Sequence, residues 1–403
     1  MLPGLILVGT YLVLALGRVP GFRIDRTGAA VIGAILMVTI GGLSFDEATR
    51  AVDYRTLLLL FGMMVLVAHL QIAGFFGLVA HVAASRFVHP MALVAAVALA
   101  AGALSALFVN DPVCLVLTPV VIDIARLRGL RPLPLLLALA TGSNIGSVST
   151  VIGNPQNMLI GSLSGIPFTT FTAKLGPVAL VGLAIDVLVI ALVFRRTLAA
   201  QASVVATGTV RPLRRAQRAL LTKALLVAGG MLAAFIAGLD VALVAGAGAA
   251  ALLVTRRVKP EKIWQRIDWD LLVLFVGLFV IVRGAAHAGL DRRFFDALRP
   301  VGLETVWGLS LVSALLSNLI SNVPSVMLFA RFVPTLPDPR TGWLTLAMSS
   351  TLAGNLTLLA SIANLIVAEG ARKRQVEISF VDYLKVGLPV TVATLAFGVW
   401  WVY

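Results

Sequence analysis

The sequence predicts an all-α polytopic membrane protein made of two inverted repeats, each of about five spans plus one re-entrant hairpin, with helices broken at the membrane midplane. Three observations predict it. Hydrophobic residues make up 59% of the 403 residues and charged residues only 12%, where a soluble domain carries about a quarter charged residues. The basic residues cluster in short loops between long apolar runs. Inside those runs, Asn, Asp and Pro recur at positions where a polar side chain is costly and a proline interrupts a helix.

The length leaves room for roughly ten spans of about 20 residues. In a soluble protein the net charge of +14 would suggest nucleic acid. Here it reads as the positive-inside bias, with the lipid bilayer as partner and no nucleic acid. The single cysteine excludes an internal disulfide and a multi-cysteine metal site, and no cofactor is expected beyond a coupling ion, H⁺ or Na⁺. The apolar run that starts at Met1 is read as a span, not a signal peptide.

In order, the first span covers 2–17 and meets a basic loop with Arg18, Arg23 and Arg26. A cytoplasmic location for that loop puts the N-terminus outside, in a bacterial-type plasma (inner) membrane. The second span, 28–42, leads to an acidic loop with Asp46, Glu47 and Asp53, and the third is 57–84. Residues 90–125 are apolar but interrupted at Asn110-Asp111-Pro112, with Arg86 before and Arg126, Arg128 and Arg131 after. Both ends are then cytoplasmic, so the segment is a re-entrant hairpin or two full spans. The hairpin is preferred, because irregular backbone at depth is tolerated where it lines a cavity. A span at 135–163 is broken near 142–146 and at Asn154-Pro155; 176–194 is the fifth. Residues 197–218, with Arg211, Arg214, Arg215 and Arg218, form a cytoplasmic basic linker between a first repeat, 1–196, and a second, 219–403. The second copy reads as spans at 219–238, 241–254 and 271–288, a hairpin-like segment at 306–333 broken at Ser321-Asn322-Val323-Pro324, a broken span at 344–369 and a last span at 386–403.

Matched positions support the repeat. Asp53, Gly62 and Ala73-Gly74 precede Asp268, Gly277 and Ala288-Gly289 by 215 residues. Ser105, Asn110 and Pro112 precede Ser317, Asn322 and Pro324 by 212; Thr150 and Asn157 precede Thr357 and Asn364 by 207. An odd number of spans per copy makes the second copy insert upside down.

A helix broken at the midplane frees N–H groups at one new end, suited to anions, and C=O groups at the other, which with Asn, Ser and Thr oxygens suit Na⁺ or a proton-bearing group. The candidate substrate- and ion-binding residues are Asn110, Asp111, Asn144, Thr150, Asn154 and Asn157 in the first half and Ser317, Ser321, Asn322, Thr357, Ser361 and Asn364 in the second. Ser105, Ser143, Ser349 and Ser350 read better as helix glue. Asp111 is either a proton carrier or a helix cap, and Asp186, alone in the fifth span, either a second relay or a packing residue. Asp123 is expected to pair with Arg126, His69, Arg283 and His287 to snorkel, and Cys114 to act as a small hydrophobe.

Val109-Asn110-Asp111-Pro112 with Leu115-Val116-Leu117-Thr118-Pro119, Ile152-Gly153-Asn154-Pro155-Gln156-Asn157 and Ser321-Asn322-Val323-Pro324 resemble the ion-transporter superfamily. The similarity is greatest to its arsenite-permease/sodium-proton-antiporter branch and more distant to the divalent-anion:sodium symporters. The resemblance implies scaffold and transport subdomains, an elevator-like motion, a homodimer, and sites at two hairpin tips and two unwound helices. The symporter branch carries Ser-Asn-Thr at both tips, where this chain has Val109-Asn110-Asp111 and Ser321-Asn322-Val323. The Asn110-Asp111 pair matches the arsenite permeases and favours proton coupling. The expectation is a secondary transporter, not an enzyme, of a small inorganic or organic anion or oxyacid. Arsenite or antimonite efflux by proton exchange is the specific reading; Na⁺-coupled dicarboxylate or sulfate-type symport and sodium/proton antiport are the alternatives.

Overall fold

A computed structural model describes residues 2–17, 21–22, 24–87, 89–200 and 215–403. Arg18, Arg23 and most of the expected linker, with Arg211 and Arg214, lie outside the described residues. In chain order the helices are α1 (Leu2–Leu16), α2 (Arg26–Thr39), α3 (Phe45–Ala51), α4 (Tyr54–Ala73), α5 (Phe75–Arg86), α6 (Pro90–Phe108), α7 (Asn110–Leu127), α8 (Leu133–Ser147), α9 (Pro155–Ser164), α10 (Phe168–Val193) and α11 (Arg195–Ala200). After the undescribed stretch come α12 (Arg215–Ile236), α13 (Val241–Leu253), α14 (Pro260–Trp264), α15 (Trp269–His287), α16 (Leu290–Leu298), α17 (Val306–Ile320), α18 (Asn322–Phe329), α19 (Pro339–Ala353), α20 (Ile362–Arg372) and α21 (Phe380–Val402). Among the described residues six helices, α4, α6, α10, α12, α15 and α21, are long and apolar enough to cross a bilayer.

The polarity of the fold is that of a multi-pass membrane protein. Leu5, Val8 and Leu12 on α1 and Trp307, Leu311, Leu315 and Leu319 on α17 are all more than half exposed. At four-residue spacing on α17 they form one apolar stripe suited to lipid. Asn144, Asn154, Asn157, Asn355 and Asn364 are buried instead.

Close packing rests on small residues. α4 lies on α13 and α15 on α2. A Cβ on Gly62 would come within 2.6 Å of the Ala245 backbone, and one on Gly277 within 2.8 Å of the Ala30 backbone. These four positions are related by the same 215-residue offset. So are the caps: Asp25 and Asp240 accept from the Gly28 and Leu243 amides, as Asp53 and Asp268 do from the Arg55 and Leu271 amides. Outside the spans, the Ser44 amide and hydroxyl hold the Glu47 carboxyl below its ordinary range, in a capping box that starts α3.

Several sequence expectations need correction. The single span expected at 57–84 turns at Gly74 (φ 81°), whose amide closes α4 on the Leu70 and Gln71 carbonyls before α5 begins. No break occurs at 142–146. α8 runs through, and its glycines let α6 approach: a Cβ on Gly142 would lie 2.9 Å from the Ala98 carbonyl, one on Gly146 2.2 Å from Gly102. The interruption expected at 110–112 falls one residue earlier, at Val109, and that at 321–324 falls at its first residue. Pro112 and Pro324 then sit in the first turns of α7 and α18, where a missing N–H costs nothing. His69 does not snorkel; it is fully buried, with Nδ1 2.8 Å from the Val65 carbonyl. His287 stays at the surface, 3.5 Å from Glu47.

Candidate functional site

Two helix pairs, α6–α7 and α17–α18, meet the unwound stretches 148–154 and 354–361 in the middle of the protein. Each pair turns at a non-glycine residue of positive φ: Val109 (φ 67°, ψ 131°) and Ser321 (φ 77°, ψ 159°), a conformation that costs of order 1–3 kcal/mol and gathers at functional sites. The Asn110 amide donates to the Gly153 carbonyl (3.0 Å), tying the first turn to the first unwound stretch.

Each unwound stretch is held open by one asparagine. Asn157 Nδ2 donates to the carbonyls of Ser147 (3.1 Å) and Thr150 (3.0 Å); Asn364 Nδ2 donates to those of Gly354 (2.7 Å) and Thr357 (3.2 Å). The two sets match at an offset of 207. Sequence reasoning casts both as ion ligands; the structure shows in addition that their amide nitrogens satisfy backbone carbonyls that unwinding leaves without partners, while Asn157 Oδ1 is buried without a partner.

At the centre, Asn144 of α8 uses its whole amide. Its Oδ1 accepts from Asn110 Nδ2 (3.1 Å) and Ser361 Oγ (3.1 Å), and its Nδ2 donates to Asn355 Oδ1 (2.9 Å) and Asn364 Oδ1 (3.0 Å). The counterpart of Asn144 is Thr351, whose hydroxyl accepts from Asn154 Nδ2 (3.3 Å) and Gln156 Nε2 (3.1 Å). Gly354 lies between Asn322 and Ser361; a Cβ there would be 3.4 Å from Asn322 Nδ2 and 3.3 Å from Ser361 Cβ. A hydrogen-bonded path thus runs from the first tip, Asn110, through Asn144 to Ser361, and Asn322 of the second tip lies near its end, across Gly354.

α9 is capped by Asn154, which accepts from the Asn157 amide at 2.9 Å. α7, α18 and α20 begin without a side-chain cap; the first amide of α7, that of Asn110, is taken by the Gly153 carbonyl, while α18 and α20 present first-turn N–H groups that can face a solute carrying oxygens. Asn110 Oδ1, Asn322 Oδ1 and Ser317 Oγ are buried without a hydrogen-bond partner. Asp111 is the only charged residue of stretches 105–114, 141–157, 317–324 and 351–364. It sits half-buried in the first turn of α7 and does not cap it.

Of the residues expected from sequence, Asn110, Asn144, Ser361 and Asn364 share one hydrogen-bonded network, with Asn322 close to it across Gly354, Ser317 buried and Ser321 at a turn. Asn154 and Asn157 join the Thr351 network. Thr150 gives its hydroxyl to the Ala106 carbonyl at 2.5 Å, and Thr357 contributes its carbonyl to Asn364. Asn355, Ser147, Gln156 and Thr351 were not foreseen as participants. For Asn355 and Gln156 the signal was present, since both lie inside the motifs. Ser105 and Ser143 bond each other at 2.9 Å, as expected of helix glue, and Cys114 is buried.

The two ends of the site differ. α9 and α18 flank a cavity of about 560 Å³ lined by Leu159, Leu163, Met327, Ala330 and Arg283. α7 and α20 are pressed together, Gly370 against Thr118, and clasped at the end by Asp123, which pairs with Arg374 (2.5 Å) and not with the expected Arg126. Arg126 donates to the Arg374 carbonyl instead. Such half-exposed pairs contribute about 0–1 kcal/mol, so Asp123→Asn should barely change thermal stability. It should speed alkylation of the buried Cys114 on α7; an unchanged rate would show that the pair is no clasp.

The citrate transporter family CitMHS matches residues 11–353. The chain is 34% identical to the silicon efflux transporter LSI3 of Oryza sativa subsp. japonica, over 98% of this chain and 96% of that one. A protein of Dictyostelium discoideum that carries the name transporter arsB is 24% identical over 93% and 87% of the two chains. The crystal structure of the Alcanivorax borkumensis YdaH transporter superposes with a TM-score of 0.60 at 18% identity, over 100% of this chain and 95% of that one, and shares the fold. With a polar site inside an apolar helical body and a family match across most of its length, the chain belongs to the CitMHS family of the ion-transporter superfamily, the secondary transporters that move small ions and solutes across a membrane.

Proposed function

We propose that the protein exports a small hydroxylated oxyacid or its anion, of the arsenite, antimonite or silicic acid kind, in exchange for protons. The observation that carries this reading is the site itself: three uncapped helix N-termini and orphaned amide and hydroxyl oxygens, with Asp111 as its one charged residue. The tips and unwound stretches offer both donors and acceptors to a neutral polyhydroxylated solute and contain no cationic side chain for a dicarboxylate. Silicon and trivalent arsenic in neutral water are both such acids, and the rice relative is named for silicon efflux. The matched offsets, caps and glycine contacts support two inverted copies with re-entrant tips, moving in an elevator-like way, with the N-terminus outside and the central linker in the cytoplasm. A second reading, Na⁺-coupled carboxylate or sulfate uptake, would use Asn110 Oδ1, Asn322 Oδ1 and Ser317 Oγ as cation ligands.

Flux into proteoliposomes separates them. Arsenite or silicic acid movement driven by a pH gradient alone supports the first reading, and succinate or sulfate movement that requires Na⁺ replaces it with the second. On the first reading, Asp111→Asn abolishes pH-driven transport while the protein folds normally; retained proton coupling would remove Asp111 from the mechanism.

A further inference from the structure

Asp186 lies in the C-terminal third of α10, about two turns from its end, and no part of it is exposed. Among the described residues neither carboxyl oxygen has a hydrogen-bond partner, and none forms an ion pair with it. The groups that face it are the Thr141 hydroxyl of α8, already donated to the Leu137 carbonyl at 2.7 Å, and the Tyr383 phenol of α21. α6 and α8, packed on α10, contain no ionisable residue. On α21 the Asp382–Lys385 pair stays at the exposed end; α19 offers only Arg340 in its first turn. On α12, Lys223 is engaged by the Leu252 and Val254 carbonyls, and Lys174 of α10 is more than three turns away. α11 contributes Arg195 and Arg196, beyond the end of α10. A carboxylate in such a place, without donor or counter-charge, is among the most expensive groups a protein can bury. A plain packing role is better filled by Leu or Ala.

The Tyr383 hydroxyl, buried and without a hydrogen-bond partner, faces both Asp186 and the Asn364 side chain. Asn364 Oδ1 in turn accepts from Asn144 at the centre of the candidate site. We infer that Asp186 is a second proton-binding site of the transporter, carrying its proton in this conformation and linked to the solute site through Tyr383, Asn364 and Asn144. The relay role rests on the proton-exchange reading above. When the core faces the other side of the membrane the proton leaves, and the Tyr383 and Thr141 hydroxyls are the donors available to the carboxylate that remains.

Two measurements test this. The infrared difference between the purified protein and Asp186→Asn at neutral pH should show the carbonyl band of a protonated carboxyl, lost in the variant; a carboxylate signature in its place would overturn the inference. In proteoliposomes a gradient of about one pH unit supports about tenfold solute accumulation if one proton exchanges per solute. Asp186→Asn should lose that accumulation yet keep exchange at equal pH, and Tyr383→Phe should weaken it; accumulation as in the parent protein would overturn the relay. If the parent protein itself ignores the pH gradient, proton exchange fails and the relay with it, while the infrared band still decides whether Asp186 holds a proton.

Discussion

Asn144→Ala is expected to abolish transport. The substitution strands Asn110 Nδ2, Ser361 Oγ and the Oδ1 atoms of Asn355 and Asn364, each at a cost of about 1–3 kcal/mol when left buried without a partner. Partial relaxation leaves a net destabilisation of about 2–5 kcal/mol, to be read as a lower melting temperature in detergent. Asn144→Asp separates stability from function more cleanly. It keeps the acceptor oxygen for Asn110 and Ser361, loses both donors, and adds charge beside the free helix N-termini. Flux close to that of the parent protein in either variant would show that this amide organises the fold and not the solute site.

Gly146→Ala is expected to have the largest effect on stability. Its new Cβ would lie 2.2 Å from the Cα and carbonyl oxygen of Gly102, where contacts between carbon atoms settle near about 3.5 Å. Both obstructing atoms are backbone, so no side-chain rotation relieves the clash, and α6 and α8 must part by about 1 Å. Two residues away Asn144 moves with α8, so the protein that does reach the membrane should transport poorly. Gly229→Ala on α12 is the control: nothing lies within 4 Å of its Cβ, and replacing a helical glycine there should leave stability unchanged or raise it by about 0.4–1 kcal/mol. Equal melting temperatures for the two variants would refute the close approach of α6 and α8.

Most of the candidate site was legible because membrane burial makes polar residues rare and therefore conspicuous. Asn110, Asn144, Asn322 and Ser361 stand out in runs of Leu, Val and Ala for that reason alone. What each one does was less legible. That Asn157 and Asn364 also hold an unwound stretch open was hidden, since sequence does not reveal which carbonyls such a stretch leaves without partners. Thr351 and Ser147 were hidden among ordinary helix-facing hydroxyls. The glycines at 142–146 looked like a break, because a glycine in sequence signals equally a turn and a helix contact; only the presence of α6 decides between them. Asp123 found Arg374, 251 residues away, in preference to its neighbour, a choice that no local pattern encodes.

The turns at Val109 and Ser321 carry a mechanical consequence. Glycine would adopt either conformation without strain, yet a branched residue holds one and a serine the other. A backbone held in such a region has steep walls on every side, so the tips are stiff and resist small readjustment around a solute. Gly74 and Gly289, which end α4 and α15 with φ of 81° and 68°, lie in territory that glycine occupies freely. Compliance and stiffness are thus placed in different parts of the chain: the glycine joints next to α5 and α16 are where the backbone bends readily, and the two turns at Val109 and Ser321 are where it keeps its shape.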